Sequence, residues 1–253
     1  MTKRRFAPHF AMAALAPLAL ALAACGDSSG EATGGATQSG SAISAIAAPE
    51  GQSWVDVAAV TPEDGYRIGN PDAPIKLVEY ASHTCHVCAA FSQEASTPLD
   101  EYVASGRVSY EIRNQVHNAI DLTIAMLARC GAPESFHPLA NQVWGSFDQI
   151  MTDAQANGAM LERAMQAAPE QRYQAIANAA GLLDYFAERG ISRDQAMQCL
   201  SDPTLADRIV ENSNSQSEEL GVTGTPTFFL NGSRIEGTNW ASVEAALQQA
   251  GAR

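Results

Sequence analysis

The sequence has few aromatic residues and few basic ones. Phe, Trp and Tyr make up 7% of its 253 residues, and 15 Lys and Arg stand against 28 Asp and Glu, which gives a formal net charge of −13. Proteins that bind nucleic acids usually present a basic surface, because phosphate contacts dominate their affinity. The acidic balance therefore argues against nucleic acid as a partner.

The N-terminal apolar run is short for a membrane span. It covers residues 10–24, is rich in alanine and follows three basic residues at positions 3–5. A transmembrane helix needs about 20 apolar residues, whereas a basic segment followed by a shorter apolar one is typical of a secretory signal. We therefore expect residues 1–24 to be a signal peptide and the protein to be exported.

The end of this signal resembles a bacterial lipobox. Small residues precede Cys25, and residues 25–50 then form a stretch rich in Gly, Ser and Ala. Such a composition is typical of a flexible tether. We expect Cys25 to be lipidated and to anchor the protein to a membrane of the cell envelope, facing the periplasm. The alternative is an ordinary signal peptide followed by an incidental cysteine.

Cysteine is scarce, with five residues in the chain. If Cys25 carries lipid, four remain, and an even number in an exported protein suggests two disulfides. We predict that Cys85 pairs with Cys88 and that Cys130 pairs with Cys199. For the second pair, two separate buried thiols are the alternative.

The segment around Cys85 has the pattern of a strand, a helix and a second strand. Residues 75–80 (IKLVEY) form a compact apolar run, and residues 107–113 (RVSYEIR) alternate, which is typical of strands. Apolar residues after Cys88 recur with a helical period, although Pro98 predicts a kink there. The pattern predicts a βαβ unit with the cysteines at the strand-to-helix turn.

The remainder is predicted to be mostly helical. The pattern predicts five or six helices from about residue 118 to 220, then a strand at 227–230 that begins a hairpin, and a closing helix at 240–250. A short strand is predicted at 54–57. The helical segment thus divides one mixed sheet, within a domain that we place at residues 51–253.

The spacing of Cys85 and Cys88 suits a redox pair. A thiolate is the nucleophile in disulfide exchange, and the free N–H groups at a helix N-terminus lower the pKa of a thiol placed there. Cys88 lies about one turn further on, where it could attack a mixed disulfide formed at Cys85. The order along the chain predicts that Cys85 attacks and Cys88 resolves.

Two motifs together resemble one protein family. EYASHTCHVCAAF and GVTGTPTFFLNG, separated by the helical insertion, are similar to the DsbA-like branch of the thioredoxin superfamily, and the resemblance spans roughly residues 66–250. It implies an α/β, thioredoxin-like fold with a central mixed sheet and a helical insertion. It also implies dithiol–disulfide exchange with protein substrates, without a cofactor and with a membrane redox partner for recycling.

The resemblance assigns further site residues. Pro226 matches a cis-proline that aligns the substrate backbone, and Thr225 precedes it as in reductase and isomerase relatives. Glu79 matches a buried acid whose raised pKa would let it relay the proton of the resolving cysteine; a surface acid is the alternative. His86 departs from the family's Pro-His dipeptide, and as a histidinium it would favour the thiolate of the first cysteine.

Two other functions fit the same motif. His83, Cys85, His86 and Cys88 offer four ligands suited to zinc or copper(I), although a second ligand pair is not evident in the sequence. A redox-inactive binding lipoprotein on a thioredoxin scaffold is the other alternative, since a fold does not fix a function.

The remaining histidines receive no catalytic role from the sequence. His83 is expected at the surface beside the cysteines, and His117 and His137 are expected in loops or at helix ends. Because some isomerase relatives carry a long N-terminal dimerisation domain that is not evident here, the expected state is a monomer.

Overall fold

The computed structural model describes residues 40–253. The predicted signal peptide, the lipidation site Cys25 and the first part of the predicted tether lie outside the described residues. Within residues 40–253, no helix combines the length and the apolar character needed to cross a membrane.

Within the described residues, six strands form one mixed sheet. They are β1 (Ala58–Val60), β2 (Tyr66–Gly69), β3 (Ile75–Ala81), β4 (Val108–Asn114), β5 (Thr227–Leu230) and β6 (Ser233–Arg234). Their spatial order is β1-β2-β4-β3-β5-β6, with β3 and β4 parallel and the other neighbours antiparallel. Parallel neighbours need a crossover connection. Helix α1 (His86–Ala104) supplies it, so the predicted βαβ unit is confirmed.

Helix α1 continues through Pro98 to Ala104. Its buried face packs against the sheet, where the Phe91 and Phe228 rings lie 4.5 Å apart between centroids. Because β3 leads directly into α1, the strand end and the helix start meet at one edge of the sheet. That edge carries the two cysteines.

Eight helices lie between β4 and β5 in the part of the chain that the structure describes. They are α2 (Ala119–Ala128), α3 (Pro133–Gly145), α4 (Phe147–Ala156), α5 (Gly158–Met165), α6 (Pro169–Ala179), α7 (Leu182–Ala187), α8 (Arg193–Leu200) and α9 (Pro203–Leu220). The predicted insertion is confirmed, but the prediction of five or six helices is too low. Ser146 and Asn157 each end one helix and begin the next, without a proline to mark the break. Helix α10 (Trp240–Gln249) closes the chain, as predicted.

The short strands β1 and β2 were not predicted from the sequence. Residues 61–65 form the turn between β1 and β2, with the Thr61 N–H donating to the Gly65 carbonyl at 2.8 Å. Residues typical of turns dominate this segment, whereas the flanking strands are only three and four residues long, which is too short for a recognisable strand pattern. The predicted strand at 54–57 is wrong, because Trp54–Asp56 forms a 3-10 helix.

The predicted tether ends too late in the sequence. Residues 40–46 pair with the end of α10 and the end of α1 through backbone N–H groups: Gly40 to Gln249 O at 2.8 Å, Ile43 to Gly251 O at 2.9 Å and Ile46 to Ser105 O at 2.9 Å. Backbone pairing needs no bulky side chains, so composition did not reveal it. Gly106, with φ +70°, allows residue 46 to lie close to the end of α1, because a side chain at position 106 would collide with the Ile46 carbonyl.

Candidate active site

Cys85 is the N-cap residue of α1. Its backbone is extended, and its sulfur accepts a hydrogen bond from the Cys88 N–H at 3.4 Å. Cys85 is partly exposed, whereas Cys88, in the first turn, is fully buried. Both are free thiols, so the disulfide predicted between them is not formed in this structure. The pair is present as a dithiol.

The two thiols of this pair have oppositely shifted pKa values. The pKa of Cys85 is lowered to about 5, chiefly by a hydrogen bond from the Cys88 side chain, with help from the N–H groups of Cys88 and Val87. Burial raises the pKa of Cys88 far above its ordinary value, and the hydrogen bond to Cys85 and the charge of Glu79 raise it further. Near neutral pH the exposed sulfur is therefore a thiolate and the buried sulfur is a thiol.

The loop of residues 224–226 faces Cys85. The Thr225–Pro226 peptide bond is cis, and the Thr225 carbonyl oxygen lies 3.2 Å from Cys85 Sγ. Antiparallel pairing of β5 with β3, with Tyr80 opposite Thr227, brings this loop to the same edge of the sheet as the cysteines. The residues that the resemblance assigned to substrate alignment thus lie beside the nucleophile.

Glu79 is buried in β3, with 1% of its surface exposed. The Tyr110 hydroxyl donates a hydrogen bond to one carboxyl oxygen, while the other carboxyl oxygen is buried without a partner. Burial raises the pKa of Glu79 to about 8, the hydrogen bond from Tyr110 opposes this, and the charge of Cys85 adds to it. The surface-acid alternative is therefore wrong, and Glu79 is able to bind and release a proton near neutral pH.

His83 is buried, not at the surface as expected. Its ring stacks on Trp144, with centroids 5.4 Å apart, and 1% of its surface is exposed. The sequence hid this burial because Trp144 lies 61 positions further along the chain, on α3. Burial, with a contribution from the charge of Arg129, lowers the pKa of His83 to about 3, so the ring is neutral.

His86 lies on the first turn of α1 and is exposed. The four ligands of the alternative metal-site hypothesis therefore include one buried and one exposed histidine. Among residues 40–253, no group of three or more His, Cys, Asp and Glu side chains is arranged to hold a metal ion.

Asp121 fixes the loop that precedes the cysteines. Its carboxylate accepts hydrogen bonds from the Ser82 hydroxyl at 2.6 Å, the His83 N–H at 2.8 Å and the His117 N–H at 2.9 Å. Burial raises its pKa, and these three donors oppose that shift. Sequence reasoning missed Asp121, although Asn118 before it caps α2 and marks a helix start.

His117 was expected in a loop or at a helix end, and it does lie just before α2. Its Nε2 atom is 3.4 Å from the Thr225 hydroxyl, so it borders the loop of residues 224–226. His137 was expected in a similar position and is instead buried within α3, where its Nε2 lies 2.8 Å from the Tyr66 carbonyl. His117 therefore lies at the rim of the site, which the sequence did not indicate.

The second cysteine pair lies within the helical insertion. A disulfide joins Cys130, just after α2, to Cys199 on α8, with the Cα atoms 5.9 Å apart and 69 positions between them in the sequence. The structure thus contains the pairing predicted from the cysteine count, and the alternative of two separate thiols does not hold.

Comparison with known proteins gives a family match and several relatives. The family model described as thioredoxin matches residues 61–249. A protein named as a protein-disulfide oxidoreductase in Rickettsia bellii is 25% identical over 74% of this chain and 65% of its own length. A similarly named protein of Rickettsia typhi is 26% identical over 72% of this chain and 60% of its own. The chain thus spans less than two thirds of the length of these relatives.

Solved structures share the fold. A protein-disulfide isomerase from Novosphingobium aromaticivorans, known from its crystal structure, is 32% identical in sequence to this chain. The two structures match with a TM-score of 0.67 over 72% of this chain and 94% of that chain. Wolbachia pipientis α-DsbA1 has the same fold at 23% identity, with a TM-score of 0.59, over 76% of this chain and 94% of that one. The family match covers most of the chain, and the chain belongs to the thioredoxin family.

Proposed function

We propose that this chain catalyses thiol–disulfide exchange in protein substrates, with Cys85 as the nucleophile and Cys88 as the resolving thiol. The observation that carries this proposal is the placement of two free thiols within one turn of helix: Cys85 caps α1 and is partly exposed, whereas Cys88 is buried. This placement shifts their pKa values in opposite directions. The partly exposed Cys85 thiolate can attack a substrate disulfide, whereas the buried Cys88 thiol can attack the mixed disulfide only after it has lost its proton. The names of the relatives point to the same chemistry.

In the reducing direction, the Cys85 thiolate attacks one sulfur of a substrate disulfide, and the other substrate sulfur leaves as a thiolate. Cys88 then loses its proton to the ionised form of Glu79, which is accessible because its pKa is about 8, and attacks Cys85 Sγ, which releases the first substrate sulfur as a thiolate. The substrate gains two electrons, and the Cys85–Cys88 disulfide forms. The Thr225 carbonyl, 3.2 Å from Cys85 Sγ, lies where a substrate backbone would align.

In the oxidising direction, the same steps run in reverse. A substrate thiolate attacks Cys85 Sγ of the Cys85–Cys88 disulfide, and the Cys88 sulfur takes the electron pair and a proton. A second substrate thiolate attacks the mixed disulfide, and Cys85 leaves as a stabilised thiolate. Stabilising the thiolate favours the dithiol form and hence donation of the disulfide.

We also propose a place for the reaction in the cell. A signal at residues 1–24 and a lipidated Cys25 would hold the protein at a membrane of the cell envelope, with the catalytic domain in the periplasm. There the protein would act as a monomer on exported proteins and would exchange electrons with a membrane redox partner. Disulfides persist in such compartments.

The alternatives are less well supported. Metal handling by the CxxC motif would need His83, whose buried ring stacks on Trp144. A binding-only role would give no reason for a buried acid beside a resolving thiol.

A disulfide-exchange assay tests the proposal. Full-length protein should reduce a quenched peptide disulfide with glutathione as the electron source, and Cys85→Ser should lower the rate at least about 10³-fold. Alkylation of Cys85 by iodoacetamide should reach half its maximal rate near pH 5. Exchange no faster than that of Cys85→Ser would reject the proposal.

The same protein in glutathione buffers gives the direction of the reaction. A potential well above that of thioredoxin, about −270 mV, would mark an oxidase, and a potential near it would mark a reductase or isomerase.

A further inference from the structure

A cavity of about 480 Å³ lies between α1, α3 and the sheet. Its wall comes from one face of α1, one face of α3, and side chains of β2 and β4, among them Tyr110. Within the described residues, the wall includes neither Cys85 nor Thr225 and Pro226. The cavity is therefore separate from the surface where substrate would lie.

Tyr110 connects this cavity to the buried acid. It is on β4 with 6% of its surface exposed, it lines the cavity, and its hydroxyl donates to Glu79. The ring also meets His137, with centroids 5.1 Å apart. Tyr110 is thus the side chain that contacts both the carboxyl group and the cavity.

Exchange at this site has to move a proton through the interior. Cys88 is fully buried, so its proton passes to an internal base before the sulfur can attack. While a substrate is joined to Cys85, that substrate covers the exposed side of the site. Glu79 has one carboxyl oxygen bound by Tyr110 and one buried oxygen without a partner, which leaves the second oxygen available for the proton.

We propose that Tyr110 is a positioning residue that holds the Glu79 carboxyl for Cys88 and links it to the cavity, through which the proton leaves. The inference rests on the proposed exchange reaction. Glu79 takes the proton from the Cys88 thiol and passes it to the Tyr110 hydroxyl as that hydroxyl gives its own proton to water in the cavity, so that Tyr110 never becomes a phenolate. One proton moves and no electrons are transferred in this relay.

The groups around Tyr110 are compatible with this role. Burial and the charge of Glu79 raise the pKa of Tyr110 well above its ordinary value, so the hydroxyl keeps its proton and remains a donor. The ionisable groups that face Tyr110 or the cavity are Glu79 on β3, Cys88 and Asp100 on α1, Glu134 and His137 on α3, and Asp56 on the 3-10 helix, while β2 contributes the apolar Ile68. Exposed Asp56, Asp100 and Glu134 place proton acceptors at the outer part of the cavity.

Rapid-quench kinetics with oxidised glutathione separates the two steps. Reduced full-length protein is mixed with glutathione disulfide, and the mixed disulfide at Cys85 is followed by mass spectrometry. Tyr110→Phe should leave its formation within about twofold of wild type and slow its resolution roughly tenfold at pH 7. Tyr102→Phe is the matched control, since it removes a phenol hydroxyl bonded to Glu244 instead.

A double variant distinguishes positioning from a structural effect. Glu79→Gln should slow resolution, and adding Tyr110→Phe to it should slow resolution no further, because both act through the same carboxyl group. Ser96→Leu, which narrows the cavity from a partly exposed position on α1, tests the exit route and should also slow resolution.

Each contrary result has a defined meaning. Normal resolution in Tyr110→Phe, or an equal loss in both steps, overturns the role of Tyr110, and normal resolution in Ser96→Leu overturns the exit through the cavity. If Tyr110→Phe does not fold, Ser96→Leu alone decides the proton route. Wild-type protein that forms no mixed disulfide at all would instead reject the proposed function.

Discussion

The two cysteine pairs of this chain have opposite surroundings. Cys85 and Cys88 are three positions apart, at a helix N-terminus, with a buried acid close by. Cys130 and Cys199 are 69 positions apart, join α2 to α8, and form a disulfide. The first pair is built so that its two sulfurs differ in charge, whereas the second closes a long loop. The same type of residue is thus placed for reactivity in one pair and for stability in the other.

The largest expected difference between the two cysteine pairs is in trapping a substrate as a mixed disulfide. In Cys88→Ser, a substrate joined to Cys85 has no resolving thiol, so the mixed disulfide should live about 10³-fold longer. Non-reducing gels and mass spectrometry after mixing with a peptide disulfide would detect the complex. Cys199→Ser should trap no substrate, and trapping there would erase the contrast between the pairs.

The second prediction concerns stability. Replacing both Cys130 and Cys199 by Ser should lower the free energy of unfolding by about 4 kcal/mol, the loop-closure value for a disulfide across this separation. Urea unfolding of the Cys85→Ser background, with and without the second pair, measures the difference. With Cys85 intact, the variant in which Cys130 and Cys199 are both replaced by Ser should keep its exchange activity within about threefold of wild type. A stability loss under about 1 kcal/mol would show that the bond does not act as a loop closure.

Glu79 makes the stability of the folded protein depend on pH. Its pKa is raised from about 4.5 to about 8, so between these values the folded protein keeps a proton that the unfolded chain has lost. Stability of the wild type therefore falls as pH rises through this window. Glu79→Gln does not titrate, and its stability relative to wild type should rise by roughly 2–4 kcal/mol from pH 4.5 to pH 8. Thermal melts across this range measure it, and a difference independent of pH would contradict the raised pKa.

The smallest expected effect is at His117. Helix α2 begins beside this residue and ends near Cys130, and the His117 ring contacts the Thr225 hydroxyl at 3.4 Å. Since His117 is exposed, His117→Gln should change the alkylation rate of Cys85 by less than about threefold. A larger change would mean that the insertion tunes the reactive thiol.

Local pattern was sufficient to predict the centre of the site. The apolar run of β3, the helical period after Cys88 and the alternation of β4 each follow from neighbouring residues, so they predicted the turn that carries Cys85. The roles of Glu79 and Pro226 needed the family resemblance, because burial beneath a distant thiol leaves no local signal.

What the sequence missed depends on contacts between distant segments. Tyr110 is one aromatic residue in an alternating strand, and its bond to Glu79 arises from the parallel pairing of β4 with β3. His83 was misplaced at the surface because α3 covers it. The pairing of residues 40–46 with the ends of α10 and α1 involves backbone atoms, which composition does not report.

Helix α1 also sets a distance within the domain. It has 19 residues, and at 1.5 Å per residue it is about 28 Å long. Cys85 caps its first turn, while Ile46 is hydrogen-bonded to Ser105 at its other end. Ile46 therefore lies about 28 Å from the N-terminal end of α1, where Cys85 is. The reactive thiol and the contact that Ile46 makes are thus separated by the full length of one helix.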